Sequence, residues 1–260
     1  MFNLFKSKPT VEFFSLMPLV TKLAPIQPAY NFKPKWFETA TKEFVGITKQ
    51  TNFGTEKLMH TAKCPGIYNL IRYGWVMTTW QDIIIKTNGD GQSFEWRSPV
   101  NHNKLEGGKD LGDVVGFHPS HQLADYHEVA WADSLTCVLK INTPWRVIVP
   151  KDYYLLEGPL PYSEETRFTT LPGFFSQDHG VSQLNVQLKW HVLNGETLIK
   201  AGTPIAHYML VPKTQAGLIV SDASPKQQQA EDITQAEINR RFVSDRGKSK
   251  CVFAKLFNGK

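Results

Sequence analysis

Between residues 118 and 128 the chain reads His118-Pro-Ser-His121-Gln-Leu-Ala-Asp125-Tyr-His127-Glu128. Imidazoles and carboxylates in such density are the donor types that hold zinc, iron or manganese. The spacing is poor for that task. No His-x-His pair sets two ligands on one face of a strand, and His121 and His127 are not an i, i+4 helical pair. Loop histidines held by hydrogen bonds explain the cluster better than a divalent metal on His118, His121 and His127, so no cofactor is expected.

A second set is Asp178-His179 with His191 and His207 downstream. If the strands carrying them pair, the imidazoles converge with one carboxylate, as in a cupin-like or oxygenase-like site. Alternation argues against His191. In Gln183-Leu-Asn-Val-Gln-Leu-Lys-Trp-His the apolar Leu184, Val186, Leu188 and Trp190 share one face, leaving His191 with Gln183, Asn185, Gln187 and Lys189 on the wet one. Scattered surface histidines are the plainer reading. Gly-x-Ser-x-Gly is absent, and Cys64 and Cys137 sit among apolar residues as buried structural thiols do. Gly247-Lys-Ser-Lys has the ending of a phosphate loop without its upstream glycine spacing or preceding strand.

The elements that must position these residues are mostly strands. Val11 to Met17 is a candidate strand, followed by Pro18, Pro25, Pro28 and Pro34, whose spacing favours an extended arm. Trp36, Phe37, Ala40 and Phe44 predict a helix around Lys35 to Val45. Pro65 opens and Gly74 stops a short helix. From Trp75 the period becomes two. Trp75 to Trp80, Asp82 to Thr87 and Ser93 to Arg97 read as strands, with Asn88-Gly as the hairpin signal before the last. Glu106 to Gly116 reads as a loop. Strands are then predicted at Val129 to Asn142, Trp145 to Pro150, Asp152 to Glu157, Arg167 to Phe175, Gln183 to Val192, Thr197 to Lys200 and Pro204 to Pro212. Thr234-Gln-Ala-Glu237 is a capping-box spelling for a C-terminal helix carrying Ile238 and Phe242.

Short strands broken by Gly, Pro and Asn predict a mainly β fold, an antiparallel sandwich or jelly roll with a few peripheral helices. The expected division is a proline-spaced arm over 1–63, a β-rich body over 64–215, and a helix with basic tail over 216–260. Trp75, Trp80, Trp96, Trp131, Trp145 and Trp190 are expected as core or interface anchors.

The 260 residues are 41% hydrophobic and 20% charged, which excludes a wholly disordered chain and a coiled coil. No run approaches a membrane span, and a soluble protein is expected. The net charge of +5 is unevenly placed. Residues 1–63 carry 9 Lys against 4 Glu, and residues 240–260 carry 7 Lys and Arg against 1 Asp, while the stretch between holds 13 basic and 19 acidic residues. Basic ends on an acidic body fit docking onto a protein partner or another copy, or nucleic-acid binding through Arg240, Arg241, Lys248 and Lys250. Three widely separated cysteines and an N-terminus unlike a signal peptide point to a reducing cytoplasm.

Cys64-Pro-Gly, Gly74-Trp-Val-Met-Thr-Thr-Trp-Gln-Asp-Ile, Pro144-Trp-Arg-Val-Ile-Val-Pro, Leu171-Pro-Gly and Gly202-Thr-Pro-Ile-Ala fall in one order over residues 64 to about 212. In this the chain resembles tailed-phage and bacterial proteins of unknown function, which implies a phage-type origin and location in the host cytoplasm or the virion. Lys151-Asp-Tyr-Tyr-Leu-Leu, Leu171-Pro-Gly-Phe-Phe-Ser-Gln-Asp-His-Gly, Leu184-Asn-Val-Gln-Leu and Ile199-Lys-Ala-Gly-Thr-Pro-Ile-Ala-His are similar in order to the dUTPase and dCTP deaminase β-fold. That family places an aspartate at the turn to set up a water; here Ser176 occupies the position and Asp178 comes two residues late. Serine cannot act as that base near neutral pH, so the resemblance implies fold alone. The expected function is a non-enzymatic binding or assembly module that uses Asp178, His179 and the basic residues of the tail. The alternatives are a metal-dependent oxygenase or cupin-like enzyme, and a dUTPase-like nucleotide-binding protein.

Overall fold

Period-two alternation makes strands of most segments that carry it, because only a pleated strand sends successive side chains to opposite faces. The computed structural model describes residues 8–43, 48–51, 54–57, 61–104, 110–122 and 133–243. In chain order these hold β1 (Glu12–Ser15), α1 (Val20–Leu23), β2 (Gln27–Pro28), α2 (Lys35–Glu43), β3 (Thr48–Thr51), β4 (Gly54–Lys57), α3 (Pro65–Arg72), β5 (Trp75–Thr78), β6 (Ile83–Asn88), β7 (Phe94–Arg97) and β8 (His102–Lys104). Then come β9 (Asp110–Asp113), β10 (Val115–His118), β11 (Val138–Ile148), β12 (Tyr153–Gly158), β13 (Phe168–Thr170), β14 (Gly173–Phe175), β15 (Ser182–Trp190), β16 (Asn194–Ile199), β17 (Pro204–Pro212) and α4 (Pro225–Val243). Backbone contacts divide the chain into two compact units, Met1–Lys35 with Tyr68–Gln215, and Trp36–Ile67 with Ala216–Lys260.

The first unit is the antiparallel sandwich that the alternation predicts. One five-stranded sheet runs β1-β11-β15-β13, with β10 also paired to β11; the other runs β14-β12-β17-β5-β2. Leu139, Ile141, Val147, Leu184, Val186, Leu188 and Trp190 line the inside of the first sheet, and Met77, Leu155, Ala206 and Tyr208 the inside of the second. Phe13 bridges the layers, its ring centroid 5.8 Å from those of both Trp75 and Tyr208. The Thr170 hydroxyl donates across to the Ile205 carbonyl at 2.5 Å. A three-stranded sheet, β16-β6-β7, adds Ile83, Ile85 and Ile199 to the same core. Trp145 and Trp190 are buried in it. Trp131 lies outside the described residues.

Several elements differ from expectation for identifiable reasons. The stretch read as a loop over Glu106 to Gly116 contains β9 and the start of β10, and β10 pairs with the first half of β11 because Val114 and Val115 carry it into the core. Two expected strands fuse into β11, whose register shifts between Asn142 and Arg146; Pro144 lies within the shift, where a missing N–H is tolerated. The segment Arg167 to Phe175 breaks at Leu171-Pro172 into β13 and β14, one in each large sheet. β1 and β2, in the proline-spaced stretch, are end strands of the two sheets, although β1 shares its side of β11 with β10. The hairpin between β6 and β7 turns through Asn88–Ser93, where Gly89 and Gly91 take positive φ. Asp90 closes it by accepting from the Ser93 hydroxyl and from the amides of Ser93 and Gln92, which hold its carboxyl well below the usual range.

Gly74 ends α3 at φ +86°, and a Cβ there would sit 2.1 Å from the Tyr208 carbonyl oxygen. The second unit contains α2 beyond its first residue, the β3–β4 hairpin and α4, which touches β4. The cap of α4 is Ser224, not Thr234. Ser224 N donates to Gln227 Oε1 at 2.7 Å, Gln227 N returns to the Ser224 hydroxyl, and Pro225 sits in the first turn. Thr234 is inside the helix, its hydroxyl donating to the Ala230 carbonyl at 2.9 Å. Among the described residues no helix is long and apolar enough to cross a membrane.

Candidate functional site

The histidines are held apart by the strands that carry them. His118 ends β10 with Nδ1 2.9 Å from Gln122 Oε1, and His121 is exposed in a one-turn 3-10 helix, Ser120–Gln122. His127 lies outside the described residues, as do Asp125 and Glu128. Among the described residues no group of three His, Cys, Asp or Glu side chains is arranged to hold a metal. His191 follows β15 on the first sheet and its Nε2 lies 2.8 Å from the Thr169 hydroxyl. His207 is on β17 in the second sheet, 2% exposed, its Nε2 donating to the Tyr73 carbonyl at 2.6 Å. Burial lowers its pKa against the raising effect of that bond. Because β15 and β17 belong to different sheets, the convergence expected from paired strands does not arise.

Asp178 and His179 lie in a 3-10 turn, Gln177–His179, with Ser176 as its cap; of the His179 side chain nothing is described. Lys213 Nζ donates to both carboxylate oxygens of Asp178, at 2.9 and 2.8 Å, and the Ser176 hydroxyl donates at 3.0 Å. That carboxylate is engaged by an ammonium and a hydroxyl rather than aimed at a cleft. Arg240 and Arg241 lie within α4, and of their side chains nothing is described; Lys248 and Lys250 lie outside the described residues.

Sequence reasoning missed a buried acid. Glu157, 3% exposed, accepts from the Tyr208 hydroxyl at 2.6 Å, opposite it on β12 and β17. Burial pushes the Glu157 pKa up to about 7 against the lowering effect of the Tyr208 bond, and Tyr208 is raised well above its ordinary value. The signal was its inward place two residues after Leu155. A cleft of about 220 Å³ opens beside Tyr162, Ser163, Glu165, Phe168 and Thr169. Its acid is held by Arg167, whose Nε and Nη2 donate to Glu165 at 2.7 and 2.5 Å.

Two exposed apolar surfaces among the described residues bear on function. On the outer face of the second sheet, Phe174 lies opposite Leu156, Leu156 opposite Met209, and Tyr154 opposite Val211, so five apolar side chains share the solvent side. The rings of Tyr154 and Phe174 are 5.2 Å apart, and Phe174 is 61% exposed. The second surface follows β17. Every residue from Thr214 to Ala236 is exposed, including the consecutive Leu218, Ile219 and Val220 at 88%, 90% and 85%. Residues 215–224 have no regular secondary structure, and within α4 Gln235 Nε2 donates to Glu231 Oε1 at 2.6 Å.

No family model matches the chain, and no curated protein matches it.

Proposed function

We propose that the protein is a non-enzymatic binding and assembly module whose segment Thr214–Ala236 engages another protein chain, a second copy of itself above all. The observation that carries this reading is the exposure of Leu218, Ile219 and Val220 at 85–90%. Burying a Leu, Ile or Val side chain is worth about 1.5–3 kcal/mol, and this segment forgoes that gain three times in succession while the chain is alone. Contiguous exposed apolar residues mark interaction sites. The charge supports the choice of partner: residues 240–260 are as basic as residues 64–239 are acidic, +6 against −6 by the counts above. A second copy offers the matching surface.

The phage-type landmarks support an assembly role in an infected cell or a virion, which mass spectrometry of purified particles tests directly. The other partner class is nucleic acid bound through Arg240, Arg241, Lys248 and Lys250, read by a mobility-shift assay at two salt concentrations.

The deciding experiment is sedimentation of the full chain, of a chain ending at Asp222, and of the variant L218S/I219S/V220S, each at low and high salt. The full chain is expected to self-associate and the triple serine variant to be monomeric. Salt screens exposed charge pairs over about 8 Å at physiological strength, so it weakens the tail's contribution and spares the apolar one. A full chain that sediments as a monomer throughout overturns the reading, and a nucleic-acid shift in that case assigns the segment to the other partner class.

A further inference from the structure

Resting on that assembly reading, we propose that the seat of the segment is the open edge of β14 on a second copy, where Leu218–Val220 adds as a further strand of the second sheet. Three observations meet there. β14 ends its sheet: β12 pairs with one side of it, and no described strand pairs with the other. An end strand presents unpaired N–H and C=O groups that an extended segment can join.

The residue pattern then selects this edge. A strand with three apolar residues in succession has Leu218 and Val220 on one face and Ile219 on the other, so both faces need an apolar neighbour. β14 supplies one on each side. Phe174 stands on the outer face, 61% exposed beside Tyr154, and Phe175 points inward, half-buried against the core. The opposite end strand of the same sheet is the two-residue β2, Gln27–Pro28, whose proline has no N–H to offer.

Charge favours a second copy as occupant. The segment is followed by α4 and the basic residues of 240–260, and it lies on a chain whose stretch 64–239 is acidic, so seating the segment of one copy on another brings opposite charges together. The inward-facing aromatic at the edge and the apolar run gain contacts that neither has in the single chain.

The test uses the full chain with Cys64 and Cys251 replaced by serine. One population carries Phe174→Cys and a size tag; the other carries Leu218→Cys, Ile219→Cys or Val220→Cys in turn. Directly opposed residues on neighbouring strands have Cα atoms about 4.5–5.5 Å apart, which suits a disulfide. Oxidation of the mixture is expected to join tagged to untagged chains for at least one of the three positions. In parallel, Phe174→Glu is expected to weaken self-association about tenfold or more with an unchanged circular dichroism spectrum. If the triple serine variant is monomeric yet Phe174→Glu associates like the parent and no mixed disulfide forms, the β14 seat is overturned while the assembly reading stands. A third preparation carries Phe174→Cys and the 218–220 cysteine on one chain; a disulfide that forms there within the single chain, and never between chains in the mixture, overturns the second copy as occupant. A parent chain that never associates overturns both.

Discussion

β15 and the segment after β17 are made of the same kinds of residue and end in opposite surroundings. In β15, Leu184, Val186 and Leu188 are 0% exposed and alternate with Gln183, Asn185, Gln187 and Lys189. In the later segment Leu218, Ile219 and Val220 stand side by side and are almost wholly exposed. Alternation suits a strand with one face on a core and one in water; a run of three suits a strand covered on both faces. The sandwich has already filled its inner face from β5, β11, β12, β15 and β17. An extra two-faced strand has no place inside it, whereas apolar side chains such as Phe174 stay exposed at its edge and outer face. Hydrophobicity is thus not enough to place a residue inside; periodicity decides whether the fold or a partner must cover it.

The sharpest test of the comparison is on the covered side. Trp145 is 3% exposed on β11, and Trp145→Ala is expected to lower stability by about 3–5 kcal/mol in chemical denaturation. A loss under about 1 kcal/mol would break the contrast by placing this tryptophan at a surface.

Next is the buried acid on the inner face. Glu157 has its pKa raised from 4.5 to about 7 in the folded protein, so the neutral form is the one the core favours. The contribution is fully present below pH 4.5 and is lost as pH rises through about 7, by about 3 kcal/mol. Stability measured across that range should fall accordingly in the parent and be flatter in Glu157→Gln, which keeps an acceptor for Tyr208. Identical pH profiles in the two proteins would mean that the carboxyl is already charged when buried.

On the exposed side the effects are smaller. L218S/I219S/V220S removes three large apolar side chains, yet the stability of the dilute monomer is expected to move by no more than about 0.5 kcal/mol, because they are 85–90% exposed. A loss of several kcal/mol would show that the segment belongs to the fold after all. Similarly small is Lys213→Ala. Its ion pair with Asp178 joins side chains 21% and 61% exposed, and such pairs contribute about 0.2–1 kcal/mol, less with added salt.

Much of the fold was legible because alternation is a local property. β17 spans the same Pro204–Pro212 that the sequence predicts, and α3 begins at Pro65 as its first-turn proline requires. Partner choice was less legible. β5 and β6 look like consecutive arms of one sheet, but β5 pairs with β17 and β2 while β6 pairs with β16 and β7. The start of α4 was misread at Thr234 although Ser224, Pro225 and Gln227 spell a complete cap ten residues earlier. For the candidate site, the sequence drew attention to chemically versatile residues, the histidines and Asp178, whereas the structure leaves Leu218, Ile219 and Val220 almost wholly exposed. Leu218-Ile219-Val220 was visible as a string of letters, but it could have been one more buried strand.

Composition, alternation and the turn residues by themselves determine that this chain builds antiparallel sheets with Leu184, Val186, Leu188 and Trp190 inward, because those properties act within a few residues of each other. Only the tertiary structure decides that His191 and His207 sit on different sheets, that Glu157 meets Tyr208 in the core, and that Leu218–Val220 is left outside. Each of these depends on which distant strands pair and how much apolar surface they cover between them, and strand pairing is settled by the packing of the whole core rather than by any one segment.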